Sequence, residues 1–240
     1  MLTAAWWAGL AASTLVIGAV LGCLFDASQR VIGLVMGFGA GALIASVSFE
    51  LTQEAYVTAG GRPVAAGLAL GALTFFVGDL LIIKLGGRRK GGAADSGDQA
   101  ALALLLGAAL DGIPESLIIG LSLVAGGAVE LAFLVSVAVS NVPEAFASAS
   151  AQRKAGMPIV KIVSQWLIIV AISGAFGAIG FALFDELGPW AVAFTQSFGA
   201  GALLTMVMDT MAPEAFVDAG PATGLVAVAG FAFAFYVGTL

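Results

Sequence analysis

The sequence predicts an all-α integral membrane protein with eight transmembrane helices, and three observations support that prediction. First, 60% of its 240 residues are hydrophobic and only 10% charged, where a soluble domain carries about 25% charged residues to cover its surface. Second, the apolar residues fall in uninterrupted runs of roughly 20, the length a helix needs to cross a hydrocarbon core. A transmembrane β-barrel would alternate in segments of about ten residues, and these runs do not. Third, two distant parts of the chain repeat each other in a way that places them in opposite directions across a bilayer.

The runs set the spans at 3–25, 31–56, 63–85, 99–124, 128–152, 158–183, 188–217 and 221–240. Span one has no basic leader and no cleavage-site pattern, so it is expected to be a retained span rather than a signal peptide. Turn chemistry marks the breaks, as in "TAGGRP" at 58–63, "KAGMP" at 154–158 and "DAGPATG" at 218–224. The polar, glycine-rich stretch "KLGGRRKGGAADSGDQ" at 84–99 reads as a flexible loop, 86–98, too short for a domain. The chain is thus one transmembrane domain over 1–240. A first repeat unit covers 1–85, central spans four and five cover 99–152, and a second repeat unit covers 158–240.

Basic residues orient the spans. Arg30, then Lys84, Arg88, Arg89 and Lys90, then Arg153, Lys154 and Lys161 lie on alternate loops, and only Arg62 lies on the other side. The positive-inside rule puts those loops in the cytoplasm and both termini outside it, in the cell (inner or plasma) membrane. Cys23 is the single cysteine, so no disulfide can form within one chain.

The repeat aligns without gaps. "GFGAGALIASVSFELTQEAYVTAG" at 37–60 matches "SFGAGALLTMVMDTMAPEAFVDAG" at 197–220, and 17 of 41 positions from Phe38 to Gly78 are identical at an offset of 160. Spans two and three therefore resemble spans seven and eight. Those partners are five crossings apart and run in opposite directions, which is the inverted-topology repeat of secondary transporters.

Spans four and five lie between the repeats and carry paired motifs. "ALDGIPESLIIG" at 109–120 places Asp111 and Glu115 one helical turn apart, and "VSNVPEAFAS" at 139–148 places Ser140 and Glu144 likewise, with Asn141 adjacent. Asp111 falls about 18 Å into span four, near the midplane. A charge there costs on the order of 2.5–3.5 kcal/mol, so it must face a cavity or a partner. Pro114 and Pro143 kink the helices and leave the carbonyls of Leu110 and Val139 without their helical donors. A lone proline could be a kink alone, and a lone Glu could pair with a distant group. Two motifs at matching depth, flanked by an inverted repeat, point instead to an oxygen-ligand site for a cation.

These residues resemble those of the ZIP (Zrt/Irt-like protein) family of divalent-metal transporters. That family has Pro-Glu motifs on its fourth and fifth spans, and the "FGAGALL…PEA" of span seven is also similar to it. The resemblance implies a 3+2+3 arrangement of spans and alternating access, with spans one, four, five and six moving against two, three, seven and eight. It also implies that Glu115 and Glu144 bridge metal and that Asn141 ligates it. Asp111 and Ser140 occupy positions where the family has histidine; this chain has none. Gly112 stands where the family has Asn, and "ISGAFGAIG" at 172–180 lacks the family's Glu-Pro pair, though Gln165 lies earlier on span six. All-oxygen sites suit harder ions such as Mn²⁺, whereas imidazole suits Zn²⁺.

The expected function is transport of a divalent cation (Zn, Mn or Fe) as substrate, through a metal site of Asp111, Glu115, Ser140, Asn141 and Glu144. Glu50 and Glu54 near the outer end of span two, and Asp209 and Glu214 near the inner end of span seven, would mark a path with Gln165. The alternative is a non-transporting, ZIP-like cation sensor or binding protein. An enzyme is not expected: serine chemistry of the rhomboid kind needs histidine, and "FVGDL" at 76–80 is only a fragment of an aspartyl-protease pattern. The expected partners are the metal ion and the lipid bilayer, with a homodimer open to it and no nucleic acid.

Overall fold

A computed structural model describes residues 1–84, 98–125, 131–184 and 188–240. Among them there is no strand. The helices are α1 (Leu2–Leu24), α2 (Gln29–Ala59), α3 (Gly61–Lys84), α4 (Asp98–Ala125), α5 (Leu131–Lys154), α6 (Ile159–Phe184), α7 (Pro189–Ala219) and α8 (Ala222–Val237). Six of them, α1, α2, α3, α5, α6 and α7, are long and apolar enough to cross a membrane, and α8 is a shorter apolar helix. The chain is an all-α, multi-pass membrane protein. Of the loop expected at 86–98, only its last residue falls within the described residues; Arg88, Arg89 and Lys90 lie outside them.

Local chemistry sets the helix ends. Ser28 caps α2, its hydroxyl accepting from the Val31 amide. Gly60 and Gly220 end α2 and α7 with φ of +78° and +68°, a conformation that costs glycine nothing. The two glycines are equivalent in the repeat, so the turn is repeated with the sequence. The helices turn large apolar side chains outward, among them Leu225, Val160, Val217 and Tyr236. In a lipid solvent these are satisfied where they stand, while small residues share the interior with Phe75, Phe133, Leu43 and Leu203.

Packing follows a two-fold pattern. α3 lies along α7 and α2 along α8; α1 packs on α5 and α6, and α4 packs on α6. Exchanging one with six, two with seven, three with eight and four with five turns this set of pairs into itself. The pattern divides the helices into α1, α4, α5 and α6 on one side and α2, α3, α7 and α8 on the other. They meet chiefly where α2 packs on α5 and α7 on α4.

Glycine makes the close pairs close. A Cβ on Gly41 would strike the Ala227 carbonyl, and one on Gly201 the Leu68 carbonyl; Gly71 meets Phe198 and Gly230 meets Phe38 in the same way. Gly41 and Gly201 are 160 apart, as in the sequence alignment, but Leu68 and Ala227 are 159 apart. The contact register of α3 and α8 is therefore offset by one residue from the gapless alignment. These contacts also give direction. Gly67 and Gly71 meet Phe194 and Phe198, Gly37 and Gly41 meet Thr223 and Ala227, and Gly18 and Gly22 meet Val142 and Phe146. So α3 runs parallel to α7, α2 to α8 and α1 to α5.

α2 and α7 each depart from α-helix at one place. The backbone widens into π-helix at Val47–Gln53 and again at Val207–Met211. The two segments start at positions 160 apart. Glu50 lies in the first and Asp209 in the second, and π segments inside α-helices are frequent at functional sites.

Candidate cation site

Both proline motifs lie inside unbroken helices, Pro114 in α4 and Pro143 in α5. Proline has no N–H, so each helix lacks the donor that would otherwise reach the Leu110 or Val139 carbonyl. Asp111 and Glu115 stack one turn apart on α4 and both are buried, at 7% and 5% exposure. On α5, Ser140 and Asn141 are buried and Glu144 is half-buried.

The two motifs come together. The charges acting on Glu115 are the carboxylates of Glu144, from the other helix, and of Asp111. Among the described residues α4 and α5 do not form a close-packed pair, so these carboxylates act on one another across an interval between the two helices. Three carboxylates gathered out of water repel one another unless protons or a cation neutralise them.

The neutral residues are positioned by specific neighbours. Asn141 donates from Nδ2 to the Ala11 carbonyl of α1 at 3.4 Å, which turns the oxygen end of its amide away from α1. Ser140 donates to the Val137 carbonyl at 3.0 Å and presses its Cα and Cβ on Gly39 of α2. Its lone pairs remain available, but its proton is used within its own helix. Ser116 donates to the Gly112 carbonyl at 2.6 Å. Gly112 faces the hydroxyl of Ser173 on α6, 3.4 Å from where a Cβ would stand. Sequence reasoning passed over Ser173, which lies in the "ISG" of span six; its buried position, 2% exposed, makes it a further oxygen beside the site.

The donor set at the centre is therefore carboxylate, amide, hydroxyl and carbonyl oxygen. Among the described residues no three His, Cys, Asp or Glu side chains are arranged to hold a metal ion by themselves. Any ion held here would need Asn141, Ser140 or the backbone carbonyls to complete its ligands.

The outlying acids separate into two places. Glu50 and Glu54 line a groove of about 660 Å³ between α2 and α8, with Gln53, Phe49 and Gly238. A Cβ on Gly238 would touch Oε1 of Glu50. Glu54 accepts from Nε2 of Gln196 on α7 at 3.0 Å. Asp209 is exposed and Glu214 half-buried on α7. Gln165 is buried on α6 beside Trp166, and no described contact joins it to the central carboxylates. Between the groove and the centre, Ser46 of α2 and Ser136 of α5 share a hydrogen bond of 2.9 Å. Cys23, half-buried, packs with the cluster of Leu15, Ala149 and Ile162.

No protein-family profile matches the chain, and no characterised protein matches its sequence.

Proposed function

We propose that this protein transports divalent metal cations by alternating access through the site between α4 and α5, as a divergent ZIP-like transporter. The observation that supports the reading is the mutual influence of Asp111, Glu115 and Glu144 on two proline-bearing helices, the first two buried and the third half-buried, where a bound cation or protons would make the three compatible. An all-oxygen donor set suits Mn²⁺ better than Zn²⁺.

Eight crossings in a 3+2+3 arrangement accommodate the packing. α3 and α7, α2 and α8, and α1 and α5 are each an even number of helices apart, so strict alternation requires them to be parallel, as they are. The exchange of packing partners supports an inverted repeat. The grouping of α1, α4, α5 and α6 against α2, α3, α7 and α8 supplies two bodies that could move past each other, with the site carried on the first. The distribution of Lys and Arg supports termini outside the cytoplasm.

One observation favours the alternative of a cation-binding protein that does not transport: the described residues hold no complete acidic or imidazole cage. Uptake of radiolabelled Mn²⁺, Fe²⁺ and Zn²⁺ into proteoliposomes decides between them. The expected result is Mn²⁺ uptake that Glu115→Ala/Glu144→Ala abolishes. Uptake indifferent to that double substitution would overturn the central site, and saturable binding without any uptake would favour the binding protein.

A further inference from the structure

Gln196 stands out among the buried polar side chains. It is 2% exposed on α7, its Nε2 donates to Oε2 of Glu54, and its Oε1 is buried without a hydrogen-bond partner. A buried acceptor left unmatched costs about 1–3 kcal/mol, and such groups in native proteins call for a specific explanation. Oε1 and Nε2 share one amide carbon, so the unmatched oxygen lies beside the carboxylate that Nε2 holds. An amide oxygen and a carboxylate side by side form an electronegative corner that a cation can complete. The Glu54 side of this corner also lines the groove between α2 and α8, while Gln196 lies buried behind it. Glu50 and Gln53 line the same groove and add a second carboxylate and a second amide oxygen.

We propose that Glu54 and Gln196 form a second, outer binding site for a divalent cation, with Glu50 and Gln53 supplying further oxygen ligands. The ligand class follows from the donors: carboxylate and amide oxygens, with water from the groove, suit hard or borderline ions that accept six oxygen ligands, such as Mn²⁺. The hydrogen bond from Nε2 has a definite role. It fixes the amide so that its oxygen, rather than its nitrogen, meets the ion. Use of this site for loading the central one rests on the transport reading above; binding at it does not.

The test uses the full-length protein in phosphatidylcholine nanodiscs, titrated with Mn²⁺ while the electron-paramagnetic-resonance signal of the free ion is followed. Asp111→Asn/Glu115→Gln/Glu144→Gln removes the three central carboxylates and is expected to leave one class of bound Mn²⁺. In that background, Glu54→Gln, which keeps size and hydrogen-bonding capacity, is expected to weaken the remaining class at least tenfold. Gln196→Leu is expected to weaken it comparably, and Gln196→Glu to strengthen it. Remaining Mn²⁺ binding that neither Glu54→Gln nor Gln196→Leu alters would overturn the outer site, as would its absence before those changes are made. If the central triple substitution leaves total Mn²⁺ binding unchanged while Glu54→Gln reduces it, the central reading fails and the outer site stands.

Discussion

Ser46 of α2 and Ser136 of α5 place their hydroxyl oxygens 2.9 Å apart, both fully buried, on the seam where the two groups of helices meet. Ser136 also lies 3.3 Å from the Ala42 carbonyl and 2.7 Å from that of Ala132. Three acceptors around one hydroxyl allow its proton to change partners as the seam shifts. A sulfur–sulfur bond of about 2.05 Å would need only a small adjustment at this pair. In a Cys23→Ala background, Ser46→Cys/Ser136→Cys is expected to crosslink on oxidation, cut Mn²⁺ uptake at least tenfold and regain it on reduction. Mn²⁺ binding should persist throughout. Full uptake by the fully oxidised protein would show that α2 and α5 do not slide on each other.

The glycine contacts give a paired prediction about stability. Gly41→Ala and Gly201→Ala each drive a methyl into a facing carbonyl and should cost about 1–3 kcal/mol by overpacking. Their costs should be similar, because the two positions are related by the repeat. Gly224 has open space around it on α8, so Gly224→Ala should be neutral or stabilise by up to about 1 kcal/mol through helix propensity. Thermal melting of the three purified variants checks the ranking.

Ligand chemistry at the centre gives a third prediction. Asp111→His exchanges a hard oxygen for an imidazole nitrogen beside Glu115. Preference for Zn²⁺ over Mn²⁺ in competitive binding should rise at least tenfold. An unchanged ratio would remove Asp111 from the ligand set.

The prolines separate fold from function. Pro143→Ala returns a donor to the Val139 carbonyl in the middle of α5, where a proline costs a helix about 3 kcal/mol. The melting temperature is expected to rise while Mn²⁺ uptake falls, because the straightened helix closes the interval between α4 and α5. A variant with raised stability and undiminished uptake would assign the carbonyl no role in transport.

The helices were legible in the sequence because lipid imposes a simple rule: a segment of about 20 apolar residues has few alternatives to a helix. The equivalence of Gly41 with Gly201 was visible as well, because the same packing demand selects the same residue twice. The convergence of Glu115 and Glu144 could be inferred from two matching motifs. The π segments could not, since "VSFELTQ" has no composition that separates π from α hydrogen bonding. Gln196 and Ser173 were also missed. Each is a single polar residue whose meaning depends on a partner from another helix, Glu54 and Gly112, more than 60 residues away in sequence. The one-residue shift between α3 and α8 escaped for a similar reason: alignment counts identities, whereas contact follows which side of a helix faces a carbonyl.

The widened turns in α2 and α7 have a mechanical consequence. A π turn contains about one residue more than an α turn, and the surplus behaves like a dislocation in a crystal row. Moving it by one position breaks one hydrogen bond and makes another, and carries the side chain it passes through roughly 100° about the axis. Glu50 sits inside one such dislocation and Asp209 inside the other. Each carboxylate can therefore be re-aimed by a local exchange of backbone partners while both ends of its helix stay anchored.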